Sequence, residues 1–119
     1  MARFRIRQVA TGVKFDLLAD NGQVIATSEV YRTESACRKG TQSIQKHAPT
    51  AALEDQTAED CHGMTNPKFE MYLDKAGQYR FRLKAANGRV IAVSEGYQSR
   101  AACLHGIESV RRSAAAAEI

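Results

Sequence analysis

The sequence has no tryptophan, two prolines and no apolar run longer than a few residues. Without a long apolar segment, no membrane-spanning helix is expected. The three cysteines are an odd number, which favours reduced thiols over a disulfide framework. The first eight residues carry positive charge but no apolar stretch follows them, so no secretory signal is predicted. These absences predict a cytoplasmic protein.

Motifs that carry chemistry are also missing. The sequence has no glycine-rich phosphate loop, no H-E-x-x-H and no G-x-S-x-G. Cys61 and His62 would give two metal ligands, whereas a structural zinc site needs about four. Cys37 and Cys103 fall on apolar helix positions, which favours buried small side chains over nucleophiles. We therefore predict no catalytic residue, no metal site and no cofactor.

What the sequence does contain is an internal duplication. Residues 15–48 align without a gap on residues 81–114, and 16 of the 34 aligned positions are identical. A half of about 55 residues would bury too little apolar surface to be stable alone. We therefore predict one domain over residues 1–119, with repeats at 1–53 and 69–119 that share a core. Because the duplication supplies in one chain what a homodimer would, we expect a monomer.

Charge divides the chain in the same way. The net charge is +4, and both repeats are basic, whereas the stretch between them is acidic. That stretch, residues 54–68, is polar and rich in turn-forming residues, so it is predicted to be a connector loop.

Alternating apolar and polar residues predict three strands at the start of each repeat, with a hairpin turn at an Asn-Gly pair. A three-residue loop with a left-handed glycine buries the apolar side chains best. It places Leu17 opposite Ile25 and Leu83 opposite Ile91. A two-residue turn would instead place Leu17 opposite Ala26. The glycines concerned are Gly22 and Gly88.

A helix follows in each repeat, with Thr33 and Ser99 as predicted N-caps. Its apolar stripe recurs in both copies: Ala36, Cys37, Gly40, Thr41, Ile44 and Ala48, then Ala102, Cys103, Gly106, Ile107, Val110 and Ala114. A mid-helix glycine costs about 1 kcal/mol relative to alanine, so its presence in both copies predicts a close approach of the helix to the sheet. Residues 50–53 and the aligned end of the chain at Ile119 are candidates for a fourth strand.

The strings N-G-x-V-I-A-x-S-E-x-Y and G-I-x-S-V in the second repeat resemble the repeat of the YegP-like family, and the resemblance covers nearly the whole chain outside the connector. It implies an α+β fold of two β-β-β-α-β units with pseudo-two-fold symmetry. One antiparallel sheet would carry both helices on one face, and the units would exchange their last strands. Leu18 and Thr41 depart from the family pattern, which predicts a less firmly packed first helix. The family has no established activity, so no catalytic residues carry over.

Two groups of residues are candidates for a functional surface. The strand-to-helix junction brings a serine, a carboxylate and a phenol together in each repeat, a combination that suits a polar ligand. These residues are Ser28, Glu29 and Tyr31, and Ser94, Glu95 and Tyr97. Their ordinary role would be to satisfy loop amides and to pack over the helix. The basic residues Arg80, Arg82, Lys84 and Arg89 are predicted on the outer sheet face, where they would either bind a polyanion or form a solvated surface.

The resulting hypothesis is a small non-enzymatic binding or interaction module with an unknown protein or small-ligand partner. The first alternative is nonspecific binding of nucleic acid or another polyanion by the basic outer sheet face. An enzyme that uses the Ser-Glu-x-Tyr junction is the second alternative.

Overall fold

The structure of the protein is a computed structural model, and it describes residues 2–117. Within these residues the chain forms seven strands and two helices. The first repeat contributes β1 (Arg3–Val9), β2 (Gly12–Leu18), β3 (Val24–Ser28), α1 (Glu34–His47) and β4 (Ala52–Asp55). The second repeat contributes β5 (Lys68–Leu73), β6 (Tyr79–Lys84), β7 (Val90–Val93) and α2 (Arg100–Ala116). The aligned fourth strand at Ile119 lies outside the described residues.

All seven strands belong to one sheet, in the order β1-β2-β3-β7-β6-β5-β4. The two repeats meet at the antiparallel β3–β7 pair, where Thr27 lies opposite Val93. These two residues are also equivalent positions of the repeat, so the pseudo-two-fold axis passes between them. The predicted symmetry is therefore confirmed.

β4 lies at the far edge of the second repeat, next to β5, so the first repeat donates its last strand to the second. This is the strand exchange that the family resemblance implied. The β4–β5 pair is parallel, however, and the sheet is mixed rather than wholly antiparallel. A hairpin would force antiparallel pairing, whereas the twelve residues between Asp55 and Lys68 are long enough for a parallel connection. The strand also extends two residues into the predicted connector.

The hairpin turns have the predicted glycine conformation but a different register. Gly22 and Gly88 have φ of 81° and 84°, in the left-handed region that a three-residue bulged loop requires. Leu17 nevertheless lies opposite Ala26, and not opposite Ile25. A further bulge between Leu17 and Leu18 shifts the register by one residue, and the second repeat has the same irregularity. The predicted Leu83–Ile91 pair is therefore also wrong.

A single core lies between the sheet and the two helices, built from buried side chains of both repeats. Phe15 and Phe81 are 0% and 1% exposed, and each makes an edge-to-face contact with a phenylalanine of the neighbouring strand. Thr41, where the first repeat departs from the family pattern, is fully buried and donates a hydrogen bond to the carbonyl of Arg38. The shared interior predicted from the duplication is confirmed. Neither of the described helices is long and apolar enough to cross a membrane.

Both helices begin as predicted, because the hydroxyls of Thr33 and Ser99 accept hydrogen bonds from first-turn amides at 3.1 Å. The mid-helix glycines also have a specific neighbour. A Cβ at Gly40 would collide with the phenol oxygen of Tyr31 and lie 3.1 Å from Phe15. Gly106 has the same relation to Tyr97. The close approach is therefore made by aromatic rings that stand between strand and helix.

Candidate functional site

The serine hydroxyls of the predicted junction form hydrogen bonds with backbone groups. Ser28 is buried, and its hydroxyl accepts a hydrogen bond from the amide of Phe15 at 2.9 Å and donates one to the carbonyl of Glu29 at 2.7 Å. Ser94 makes the same two bonds, with Phe81 and Glu95. Both hydroxyls therefore tie the end of a strand to its neighbour, which is the ordinary role considered from the sequence.

The other junction residues separate from the serines. Glu29 and Glu95 are exposed, whereas Tyr31 and Tyr97 are half-buried and stack on a phenylalanine ring of the same repeat at about 6.4 and 6.3 Å. Neither phenol hydroxyl forms a hydrogen bond with another residue between 2 and 117. The structure therefore does not bring serine, carboxylate and phenol together around one point.

The predicted basic surface of the second repeat is largely neutralised by carboxylates. Arg80 pairs with Asp74 at 2.6 Å. Arg82 and Lys84 both pair with Glu70, at 2.6 and 3.4 Å. A face whose cations already have carboxylate partners attracts phosphates less strongly than a bare one. Arg89 differs from the other three residues, because it is exposed and forms no ion pair within the described part of the chain. It lines a groove beside α1, on the side of the sheet that carries the helices, so its predicted position on the outer face is wrong.

A similar network covers the outer face of the first repeat around Asp16, whose side chain is 2% exposed. Arg5 and Arg7 pair with it at 2.9 and 2.8 Å, and Thr27 donates a hydrogen bond at 2.7 Å. Burial would raise the pKa of Asp16, but the hydrogen bonds from Arg7, Thr27 and Arg5 outweigh it and hold the pKa below its ordinary value. The carboxylate is therefore charged and structural at neutral pH.

A groove of about 580 Å³ lies between the two repeats, and we call it the first groove. One wall is the junction and first turns of α1, which contribute Glu29, Tyr31, Arg32 and Lys39. The other wall is the β6–β7 hairpin, including Arg89. The groove forms because the antiparallel β3–β7 pair sets the β6–β7 hairpin of one repeat beside the strand-to-helix junction of the other. Of the predicted site residues, it brings together Glu29, Tyr31 and Arg89.

The cations of the first groove are unpaired. Arg32, Lys39 and Arg89 are exposed and form no ion pair within residues 2–117. With Glu29 as the single acidic residue of the lining, the groove carries a net charge of +2. Burial raises the pKa of the Tyr31 phenol, and the charge of Arg89 acts in the opposite direction. A residue of the second repeat therefore acts electrostatically on a residue of the first.

A second groove of about 420 Å³ lies between the β2–β3 hairpin and α2. It includes Ala19, Asn21 and Ser109, which are the repeat equivalents of three residues in the first groove. The cations are not repeated, however. The positions equivalent to Arg32, Lys39 and Arg89 are Gln98, His105 and Gln23. The two repeats have therefore kept the same fold but differ in the charge at these positions.

The thiols have no catalytic environment. Cys37 and Cys103 are fully buried, and burial raises the pKa of the Cys103 thiol to about 11. This shift is opposite to the lowered pKa of a reactive cysteine. Cys61 is exposed in the connector. Residues 2–117 contain no group of three or more His, Cys, Asp and Glu side chains with the arrangement of a metal site.

The fold and grooves define a class: a two-repeat α+β protein in which the β3–β7 pair joins the repeats into one sheet and the first repeat adds its last strand to the edge of the second. The sequence model described as "Domain of unknown function (DUF1508)" matches residues 10–55 and 74–119. The chain therefore belongs to this family, and the YegP-like resemblance is confirmed.

Solved structures have the same fold. The solution NMR structure of a UPF0339 protein from Shewanella oneidensis has a TM-score of 0.78 at 30% identity, covering 96% of this chain and 85% of that one. The structure of the protein of unknown function yegP from E. coli has a TM-score of 0.77 at 26% identity, with 95% and 85% covered. A UPF0339 protein from Treponema denticola is 66% identical over 47 residues, which are 40% of this chain and 81% of that protein.

Sequence reasoning missed Arg32 and Lys39 as members of a site with Arg89. The alignment of the two repeats already contained the signal, because all three cations replace uncharged or weakly basic residues of the other copy. What the alignment lacked was the spatial relation. A groove between a helix of one repeat and a hairpin of the other depends on how the repeats are joined.

Proposed function

We propose that this protein is a small non-enzymatic binding module that acts as a monomer, with the first groove as its binding site. The observation that carries the proposal is the set of three unpaired cations in a groove between the repeats. A volume of about 580 Å³ lies within the range of roughly 300–1,000 Å³ that is typical of small-molecule sites. No described residue there has the pairing of nucleophile and base that covalent catalysis needs.

The alternative of a polyanion-binding outer sheet face has less support. Arg80, Arg82 and Lys84 are held by Asp74 and Glu70. Releasing them for phosphate would remove two of the three cations that pair with Glu70 in the described part of the chain, whose side chain is 4% exposed, and the cation that pairs with Asp74. Removing the charge partners of a buried carboxylate is costly, so these contacts favour a structural role.

The proposal is tested with the full chain, ¹⁵N-labelled and titrated with a library of small anionic, cationic and neutral fragments. We expect at least one fragment to shift amide signals around Arg32, Lys39 and Arg89 selectively. The substitution Ser43→Phe places a ring in the first groove and should abolish these shifts. The matched control, Ser109→Phe, fills the second groove and should leave them unchanged.

Shifts that occur elsewhere, or a complete lack of shifts with every fragment, would contradict the proposal. Shifts at the first groove that persist equally in both phenylalanine variants would contradict it as well.

A further inference from the structure

We propose that the first groove binds a small phosphate monoester whose organic part is apolar; this assignment rests on the proposed function. The charge gives the first reason. A net charge of +2 in the lining matches a dianion, which a phosphate monoester is near neutral pH. Arg32 and Arg89 present planar sets of donors that match phosphate oxygens, and Lys39 adds a third positive charge.

The unpaired state of these residues gives the second reason. On the outer sheet face five cations pair with carboxylates at 2.6–3.4 Å: Arg5, Arg7, Arg80, Arg82 and Lys84. Around the first groove the cations keep their donors free, and the phenol of Tyr31 has no hydrogen-bond partner within residues 2–117. An anion in the groove would therefore find donors from both repeats without displacing an existing ion pair.

The apolar part of the ligand follows from the rest of the lining. Val30, which is 46% exposed, lines the groove together with Val90 and Ile91. The repeat equivalent of Val30 is Gly96, so the second repeat has no apolar side chain at the position of Val30. A ligand with a charged and an apolar end would use both features.

A nucleic-acid strand fits these observations less well. Single-stranded nucleic acid is held largely by bases that stack on exposed aromatic rings. The ring of Tyr31 is already stacked on Phe15, with an interplanar angle of 17°, and its edge contacts Gly40. The site therefore offers donors for one phosphate group, and its lining contains one aromatic ring rather than a row of rings for successive bases.

The experiment compares phenyl phosphate, inorganic phosphate and phenol in ¹⁵N titrations of the full chain. We expect phenyl phosphate to bind at the first groove more tightly than either other compound. The variant Arg32→Gln/Arg89→Gln, which copies the residues of the other repeat, should weaken phenyl phosphate binding by about a hundredfold. This corresponds to about tenfold for each lost charge-assisted contact. Arg112→Gln, in the second groove, is the matched control and should have little effect.

The variant Val30→Gly tests the apolar part separately. It should weaken phenyl phosphate binding while leaving inorganic phosphate binding unchanged. Equal effects on both compounds would overturn the assignment of an apolar body. Because Val30, Arg32 and Arg89 are exposed, the three substitutions should preserve the remaining ¹⁵N spectrum, which verifies folding in the same experiment.

Two outcomes separate failure of the ligand class from failure of the site. If phenol binds the first groove as tightly as phenyl phosphate and the double variant does not change its affinity, the phosphate assignment is wrong but the groove remains the binding site. If none of the three compounds nor any library fragment shifts signals there, both proposals are wrong. Equal binding of phenyl phosphate to the wild type and the double variant also overturns the phosphate assignment.

Discussion

The outer sheet faces of the two repeats contain the same ion pair with its charges reversed. In the first repeat, Arg5 on β1 lies opposite Asp16 on β2. In the second repeat, Glu70 on β5 lies opposite Arg82 on β6. Because Asp16 and Arg82 are equivalent positions of the repeat, the acid and the base have exchanged strands. The comparison teaches that pairing of opposite charges is kept in both copies while the residues that provide it differ.

On the side of the sheet that faces the helices, the residues themselves are kept. There the two copies keep identical residues, including Phe15 and Phe81, and the mid-helix glycines Gly40 and Gly106. Close packing specifies shape as well as polarity, so fewer residue types are accepted. The first groove is a third case, in which most lining residues are identical in the two copies but Val30 and the three cations are not repeated. The three surfaces therefore differ in how strictly the fold determines their residues.

The largest loss of stability is expected from substitutions on the helix-facing side of the sheet. Because the two copies keep identical residues there, equivalent substitutions in the two repeats should have equal effects. Gly40→Leu and Gly106→Leu should each lower the free energy of unfolding by about 2 kcal/mol or more. Overpacking costs about 1–3 kcal/mol or more, and the gain in helix propensity of about 1 kcal/mol does not offset a collision with Tyr31 or Tyr97. Chemical denaturation measures the change.

The control is Gly63→Ala in the connector, where the nearest atom to an added Cβ lies 3.9 Å away. It should leave stability nearly unchanged. An unchanged transition in either leucine variant would show that the rings move away at little cost.

A smaller loss of stability is expected when Asp16 of the first repeat is replaced by arginine, the residue at the equivalent position of the second repeat. Asp16→Arg places a third cation beside Arg5 and Arg7 and should lower the free energy of unfolding by about 2 kcal/mol. Loss of one partner of a buried pair costs about 3–5 kcal/mol, and the half-exposed arginines reduce this value here. Thermal and chemical unfolding measure the loss.

The double variant Arg5→Glu/Asp16→Arg copies the arrangement of the second repeat and should recover most of the lost stability. If the double variant is no more stable than Asp16→Arg alone, pairing of opposite charges is not what the two outer faces share.

The smallest effect concerns acid stability and the exchanged strand. Glu54 on β4 accepts hydrogen bonds from Gln56, Lys68 and the amide of Met64, which lower its pKa from 4.5 to about 2. Because the folded-state pKa lies below the unfolded value, the stabilisation is complete above pH 4.5 and is lost as the pH falls towards 2. Melting temperatures measured from pH 6 to pH 2 should therefore fall less steeply in Glu54→Gln.

Glu59→Gln is the matched control, because Glu59 is an exposed carboxylate of the same connector. It should reproduce the pH dependence of the wild type. A wild-type slope in Glu54→Gln would show that Glu54 does not contribute to acid unfolding.

Much of the fold could be predicted from the sequence because the duplication shows each sequence pattern twice. A pattern that recurs in both copies is stronger evidence for a helix or strand than one that occurs once. The helix caps at Thr33 and Ser99 and the buried helix stripes are local features, and they were predicted correctly. The strand register was wrong because the additional bulge at Leu17 and Leu18 allows consecutive residues to be buried, which breaks the alternation on which the prediction depended. The parallel β4–β5 pair depended on chain connectivity, about which periodicity carries no information.

The candidate site was less predictable. The Ser-Glu-x-Tyr string is compact in sequence, but the hydroxyl of Ser28 is used by the backbone. Arg80, Arg82 and Lys84 lie at alternating positions of β6, as predicted, yet their carboxylate partners lie on a neighbouring strand or turn. Arg89 reaches the first groove across the boundary between repeats. The Phe15–Ser28 and Glu70–Arg82 contacts and the position of Arg89 beside α1 all join residues that are distant in sequence, so a single chain read in order does not reveal them.

The exchanged strand β4 changes what cleavage of the connector would produce. A protease that cut the exposed stretch around Cys61 and His62 would break the backbone between the repeats. The fragments would nevertheless stay bound, since β4 is hydrogen-bonded to β5 and Arg111 of α2 donates to the carbonyl of Ala48. The nicked molecule would thus run as one species under native conditions and as two polypeptides after denaturation.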